Sequence, residues 1–199
     1  MPVESLQSKR LHVKIDGRLC PDISVALLDW ILTERPARTM TGELEVAYTD
    51  AAAIAVDSLR LGASIGLTLA SEPVFDGWVT TLEGRVGHAD LPSVVLHLRG
   101  QRVSDPSSID SVPLVMRVGA EVLRARVRQE GSPVVLHMSA EITEDFATGA
   151  GAVRTEQVVD LVGMGPLFDG PFQMQQVALR CDQTRGLVVE VLGSGDRNV

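Results

Sequence analysis

The chain has 199 residues, 45% of them apolar and only 4% aromatic, with a formal net charge of −8. That length holds one larger domain or two of about 100 residues each, with an aliphatic, Val- and Leu-rich core of the kind that favours strands. The apolar fraction excludes wholesale disorder, and the acidic balance without a basic patch excludes ordinary nucleic-acid binding.

Residues 11–17 alternate apolar and polar and end at Asp16-Gly17, which predicts a strand entering a hairpin turn. Residues 25–33 are mostly apolar and fit a buried strand or a short helix; so short a run does not separate the two. Residues 42–48 alternate again. Residues 50–61 are the best helix candidate, because Asp50 can cap, alanines follow, and Gly62 can stop it. Residues 65–100 read as strand, turn, strand, turn, strand. The Ser-rich stretch 104–111, with Pro106, reads as a linker. Strands follow at 114–118, 122–128 and 134–142, then a loop at 148–152 and further strands as far as Gly193. Residues 194–199 read as a frayed tail. Arg124, Arg126 and Arg128 alternate with Ala125 and Val127, the pattern of a strand's solvent face rather than a phosphate-binding stripe.

The most informative feature is internal. Pro73-Val74-Phe75-Asp76-Gly77 recurs as Pro166-Leu167-Phe168-Asp169-Gly170, at an offset of 93 residues. Kept without a gap, that offset lays Ile65 on Val158, Leu69 on Val162, residues 94–96 on 187–189, Leu98 on Val191 and Gly100 on Gly193. Upstream, residues 42–46 match 139–143 loosely, and the opening strand 13–19 has a counterpart at 116–123. This is the sign of a duplicated unit. It predicts an all-β fold of two tandem, internally duplicated, small β-barrel-like domains, at residues 10–103 and 112–195, with 104–111 between them and at most one or two short helices. Closing each sheet removes its exposed edges. Phe75, Asp76 and Gly77, with Phe168, Asp169 and Gly170, are read as structural turn motifs. In each, the Phe anchors a corner, the Asp binds local backbone amides and the Gly takes a positive φ.

No chemistry rises above this background. His12, His88, His97 and His137 have no second His or Cys at ligand spacing, so no metal site is expected. Cys20 and Cys181 lie far apart without a paired motif and read as reduced, half-buried thiols of a cytosolic protein. The acidic pairs Asp16/Asp22 and Glu141/Glu144 fall at or near strand ends, where solvated charge is ordinary. Gly163-Met164-Gly165 lacks the third glycine of a dinucleotide fingerprint and runs into Pro166. No catalytic or cofactor-binding residue is assigned, and no cofactor is expected.

Residues 159–174 read as a strand, an F-x-G turn at Phe168-Asp169-Gly170 and a return strand, completed by 177–182 and 186–189. This run resembles the end of the hub domain in the phage late-control gene D family, which includes the N-terminal part of the VgrG spike proteins. Val13-Lys14-Ile15-Asp16-Gly17 and Val74-Phe75-Asp76-Gly77-Trp78-Val79 resemble that family's opening strand and its F-x-G-x-V hairpin. The resemblance spans about residues 10–193. It implies two related β-barrels, a homotrimer, and the role of a baseplate hub at the tip of a tail tube, in a phage tail or a contractile injection system. Three chains with two similar barrels each would offer six near-equivalent seats to a hexameric tail tube protein, while keeping three-fold symmetry for a spike. The chain lacks the family's long insert between the barrels and any spike or lysozyme segment, which implies a separate spike protein. No catalytic residue carries over. Neither nucleic-acid recognition nor membrane insertion is expected. Residues 1–9 have no apolar leader run, so synthesis in the cytoplasm without a signal peptide, then incorporation into a particle, is expected. The alternatives are a tail-completion or distal-tail protein forming a hexameric ring and, further off, a small β-barrel enzyme or ligand-binding module. The last needs a polar cavity holding His97, His137 or paired carboxylates.

Overall fold

The computed structural model describes residues 11–48, 59–86, 92–103, 114–130, 135–148, 152–182 and 186–196. They divide into two compact units. The first comprises Met1–Leu32, Thr39–Ser104 and Arg180–Leu187; the second comprises Thr33–Arg38, Asp105–Leu179 and Val188–Val199.

The first unit holds β1 (Leu11–Ile15), β2 (Arg18–Leu19), a short helix α1 (Pro21–Ala26), β3 (Leu27–Arg35, its last three residues counted with the second unit), β4 (Thr39–Ala47), β5 (Ser64–Leu69), β6 (Glu72–Arg85) and β7 (Ser93–Gln101). Its strands lie in the order β2-β1-β5-β6-β7-β4-β3. The expected hairpin turn stands at Asp16 and Gly17, with φ of 47° and 78°. Two left-handed residues match the twist of the strands they join. The Asp16 carboxylate also accepts from the Ser64 N–H at 3.1 Å, tying the turn to β5. The ambiguous stretch 25–33 is both things in turn. Pro21 opens a single helical turn, and from Leu27 the backbone is extended. Alternation then sets the core: β1 buries Leu11, Val13 and Ile15, and β5 buries Ile65, Leu67 and Leu69.

The second unit holds β8 (Leu114–Arg117), β9 (Val122–Glu130), β10 (Val135–Ile142), a 3-10 turn (Glu144–Phe146), β11 (Val158–Val162), β12 (Gly170–Asp182, its last three residues counted with the first unit) and β13 (Gly186–Asp196). Its order is β8-β11-β12-β13-β10-β9. Leaving out β2, this is the order of the first unit strand for strand, so β8 answers to β1, β9 to β3, β10 to β4, β11 to β5, β12 to β6 and β13 to β7. One difference is direction: β1 is antiparallel to β5, whereas β8 is parallel to β11. In both units the order is open, with no ladder among the described residues joining its ends.

Several expectations change. The compact units are not the consecutive stretches 10–103 and 112–195, because 33–38 joins the second unit and 180–187 the first. The reason lies in buried polar bonding. Within the second unit the Thr155 hydroxyl donates to Glu34 Oε1 at 3.0 Å and to the Arg35 carbonyl at 3.3 Å. Glu34 is only 2% exposed there. Residues 194–196, expected to fray, continue β13 and pair with Val135, Leu136 and His137. The helix expected at 50–61 falls largely outside the described residues, as do the linker 104–111 and most of the loop 148–152.

The constant offset of 93 also gives way. In the ladders Ile65 faces Gly77 and Val159 faces Phe172, and Ile65 and Val159 are the buried residues. The offset had placed Ile65 on Val158 and Leu69 on Val162, both of which are exposed. A slip of one residue sends a strand's side chains to the opposite face. The two copies of the motif also fold differently. Phe75, Asp76 and Gly77 lie inside β6, not in a turn; the turn is earlier, at Ala70 and Ser71, both with positive φ. Phe168 and Asp169 lie in the connection before β12, and Gly170, with φ of 145°, opens that strand.

Candidate assembly surface

Each motif residue has a mechanical task, and the tasks differ between copies. Gly77 is needed for close approach. It faces Gly100 across β6 and β7, and a Cβ on it would overlap the Arg99 carbonyl, the Gly100 Cα and the Phe75 ring. Phe75 is fully buried and lies over that glycine. Asp76 is exposed. In the second unit the fully buried aromatic ring is Phe172, packed beside Gly193 and Gly195, while Phe168 is half-buried. Asp169 does bind local amides: one carboxylate oxygen accepts from Gly163, Met164 and Gly165 at 3.0, 2.7 and 3.0 Å. Asp169→Ala is therefore expected to cost about 1–3 kcal/mol, by leaving three amides of a tight loop without their acceptor. Thermal denaturation checks it, with Asp76→Ala, at an exposed strand position, as the near-neutral comparison.

A polar face runs across β4, β7 and β6 of the first unit. Glu43 pairs in register with His97, and His97 with Thr81. The His97 ring sits between two carboxylates, Nδ1 3.6 Å from Glu43 and Nε2 3.4 Å from Glu83. Arg85 Nε donates to Glu83 at 3.0 Å, and the Ser93 hydroxyl donates to Glu45 at 2.6 Å. The Arg85 hydrogen bond, aided by His97, holds the Glu83 carboxyl below its ordinary pKa, and Glu83 holds the Arg85 guanidinium above its own. These side chains lie open on a sheet, not in a cavity; those of Glu43 and Glu83 are about half exposed. Such pairs are worth little each, but together they give this face three carboxylates.

The corresponding face of the second unit carries the opposite charge at its edge. Arg124, Arg126 and Arg128 are exposed along β9, opposite Glu141, Ser139 and His137 of β10. Arg124, Arg126, Ser139, Glu141, Gln176 and Glu190 are among the residues lining an open groove of about 340 Å³. His97 and His137 thus lie on different units. Cys20 and Cys181 are half-buried and form no disulfide.

Among the described residues β2 has only β1 beside it and β8 only β11; further open edges belong to β9 and β6. Beyond Val122, which bridges Val118, β9 has only β10 beside it among the described residues. β6 has β5 beside it from Glu72 to Trp78 only. At Val79 the N–H donates to the Ala63 carbonyl and the C=O accepts from the Gly62 N–H. From Thr80 to Arg85 no strand among the described residues pairs with that edge. In the second unit the equivalent strand β12 leaves β11 after Gln173, and the end of β3 is its further neighbour.

No protein-family model and no curated protein matches the chain. Solved structures do, at low sequence identity. A 43 kDa tail protein of prophage MuSo2 from Shewanella oneidensis aligns with a TM-score of 0.63 and 10% identity, over 93% of this chain and 96% of that one. A tail protein from Neisseria meningitidis MC58 aligns with a TM-score of 0.64 and 7% identity, over 94% and 96%. The E. coli c3393 protein is a component of the type VI secretion system, described as structurally similar to T4 bacteriophage tail proteins gp27 and gp5. It aligns with a TM-score of 0.60 and 10% identity, over 91% of this chain and 76% of its own. This all-β chain therefore has the fold of these tail and secretion-system proteins.

Proposed function

We propose that this chain is a non-enzymatic ring component of a phage tail or contractile injection system, acting as a baseplate hub. The observation that carries the reading is the repeated strand order. Two units with one topology give each chain two similar seats, so a closed ring of three chains presents six to a hexameric tail tube. The differences between the units, such as the reversed direction of β8 against β11, keep a three-fold face for a separate spike protein. The fold shared with tail and secretion-system proteins supports the same reading. Open polar sheet faces, with no group of three or more His, Cys, Asp or Glu placed to hold a metal among the described residues, suit a surface for assembly. No helix among the described residues is long and apolar enough to cross a membrane.

Light scattering on the purified chain tests this. The expected mass is about 64 kDa, three times the 21.3 kDa of one chain, with a ring in electron micrographs that binds a tube ring of six subunits. A ring of six copies of this chain would replace the hub by a hexameric tail ring. A monomer at high concentration would overturn both.

A further inference from the structure

We infer that copies of this chain join edge to edge, β9 of one copy adding to β6 of the next along residues 80–85. The inference rests on the ring reading above and supplies its joint.

The open edges of β6 and β9 are not independent facts. By strand order β9 holds the place of β3, and β6 the place of β12. β12 outruns β11 and has β3 as a further neighbour in the strand order. Within the first unit, β6 outruns β5 in the same way and receives nothing among the described residues. Among the described residues β6 and β9 thus present open edges at the places that, by strand order, β12 and β3 fill for one another. A second copy supplies each to the other. The contact is heterologous, so every copy uses one edge of each kind, the arrangement from which a ring is built when the rotation between copies closes.

The chemistry of the edges fits. Val79 spends its N–H and C=O on the β5 side. After the bulge that follows it, the alternation of the ladder turns the backbone groups of Leu82 and Gly84 outward. Those are the donors and acceptors that an added strand needs. The arginines of β9 would continue the face that bears Glu43, Glu45 and Glu83, bringing cations to carboxylates. On the reverse side Leu82 and Leu123, 36% and 59% exposed, would cover one another. An edge carrying charge resists indiscriminate pairing; β9 brings three arginines, while the β6 edge carries Glu83 and Arg85, paired with one another at 3.0 Å, with Glu43 and Glu45 two strands in on β4.

Two variants test the joint. R124E/R126E/R128E reverses the β9 edge, at exposed positions. Gly84→Pro removes an outward N–H from the β6 edge, at a site where an added Cβ meets no atom within 4 Å and where an edge strand tolerates proline. Each variant alone should weaken association at least tenfold by light scattering, with unchanged circular dichroism. Mixed in equal amounts they should form a complex of two chains and no more, because one keeps an intact β6 edge and the other an intact β9 edge. If the unaltered chain forms rings and both variants still do, the copies meet elsewhere; that overturns this inference and spares the ring reading. If the unaltered chain stays monomeric, both fall. Should Gly84→Pro unfold, amide exchange in the unaltered chain decides. Slowing at Leu82 and Gly84 on assembly supports the joint, and unchanged exchange in an assembled ring overturns it.

Discussion

Gly77→Ala is expected to destabilise the chain by about 3 kcal/mol or more, placing it among the severe single substitutions. The added methyl has no flexible neighbour to displace. It meets the Arg99 carbonyl and the Gly100 Cα, which are backbone atoms of β7, and the end of the buried Phe75 ring. β7 cannot retreat, because it is paired with β6 from Gln101 to Ser93 and with β4 over the same span. Gly66→Ala is the control. There a Cβ would meet only Lys14 Cβ, at 3.7 Å, an ordinary contact, and the cost should stay within about 1 kcal/mol. Chemical denaturation of both variants measures the difference. Equal midpoints would mean that β6 and β7 are not in close approach at Gly77.

Truncating the aromatic residues comes second in size and separates two accounts of the repeat. Phe75→Ala and Phe172→Ala each open a cavity at a residue no more than 1% exposed, and should cost about 3–5 kcal/mol. Phe168→Ala removes a half-buried ring from a connection, and should cost less than about 2 kcal/mol. A Phe168→Ala loss as large as that of Phe75→Ala would restore the motif match as the true equivalence. Comparable losses at Phe75 and Phe172 show that each unit's core rests on its own fully buried ring, whatever the sequence match.

The strands were legible because their signal is local. Alternation marks β1, β4, β9 and β10 directly in the sequence, and Asp16-Gly17 announces its own turn. The duplication was legible as a fact and misplaced in detail. A match of short motifs rewards identical residues, whereas the units agree in strand order and in which residues are buried. The same five-residue pattern runs into β6 in one unit and through a wide connection in the other, so the likeness of Phe75 to Phe168 did not survive. The place of 33–38 in the second unit was not readable at all. It depends on Thr155 meeting Glu34 across 121 positions of chain, and nothing near either residue signals the other. The open edges of β6 and β9 were hidden for the same reason: whether a strand lacks a neighbour is a property of the rest of the sheet.

The exchange of segments between the units has a consequence for the order in which the protein can be made. The first unit counts Arg180–Leu187 among its parts, and a ribosome delivers those residues only after the second unit's segment Asp105–Leu179. An early-folding amino-terminal half, the usual course for chains of tandem domains, is thus denied to this one. The first unit must wait, with part of its sheet edge bare, until the second has almost been translated. Both then settle together, which favours a single cooperative step and places the greatest risk of misassembly in the nascent chain rather than in the finished one.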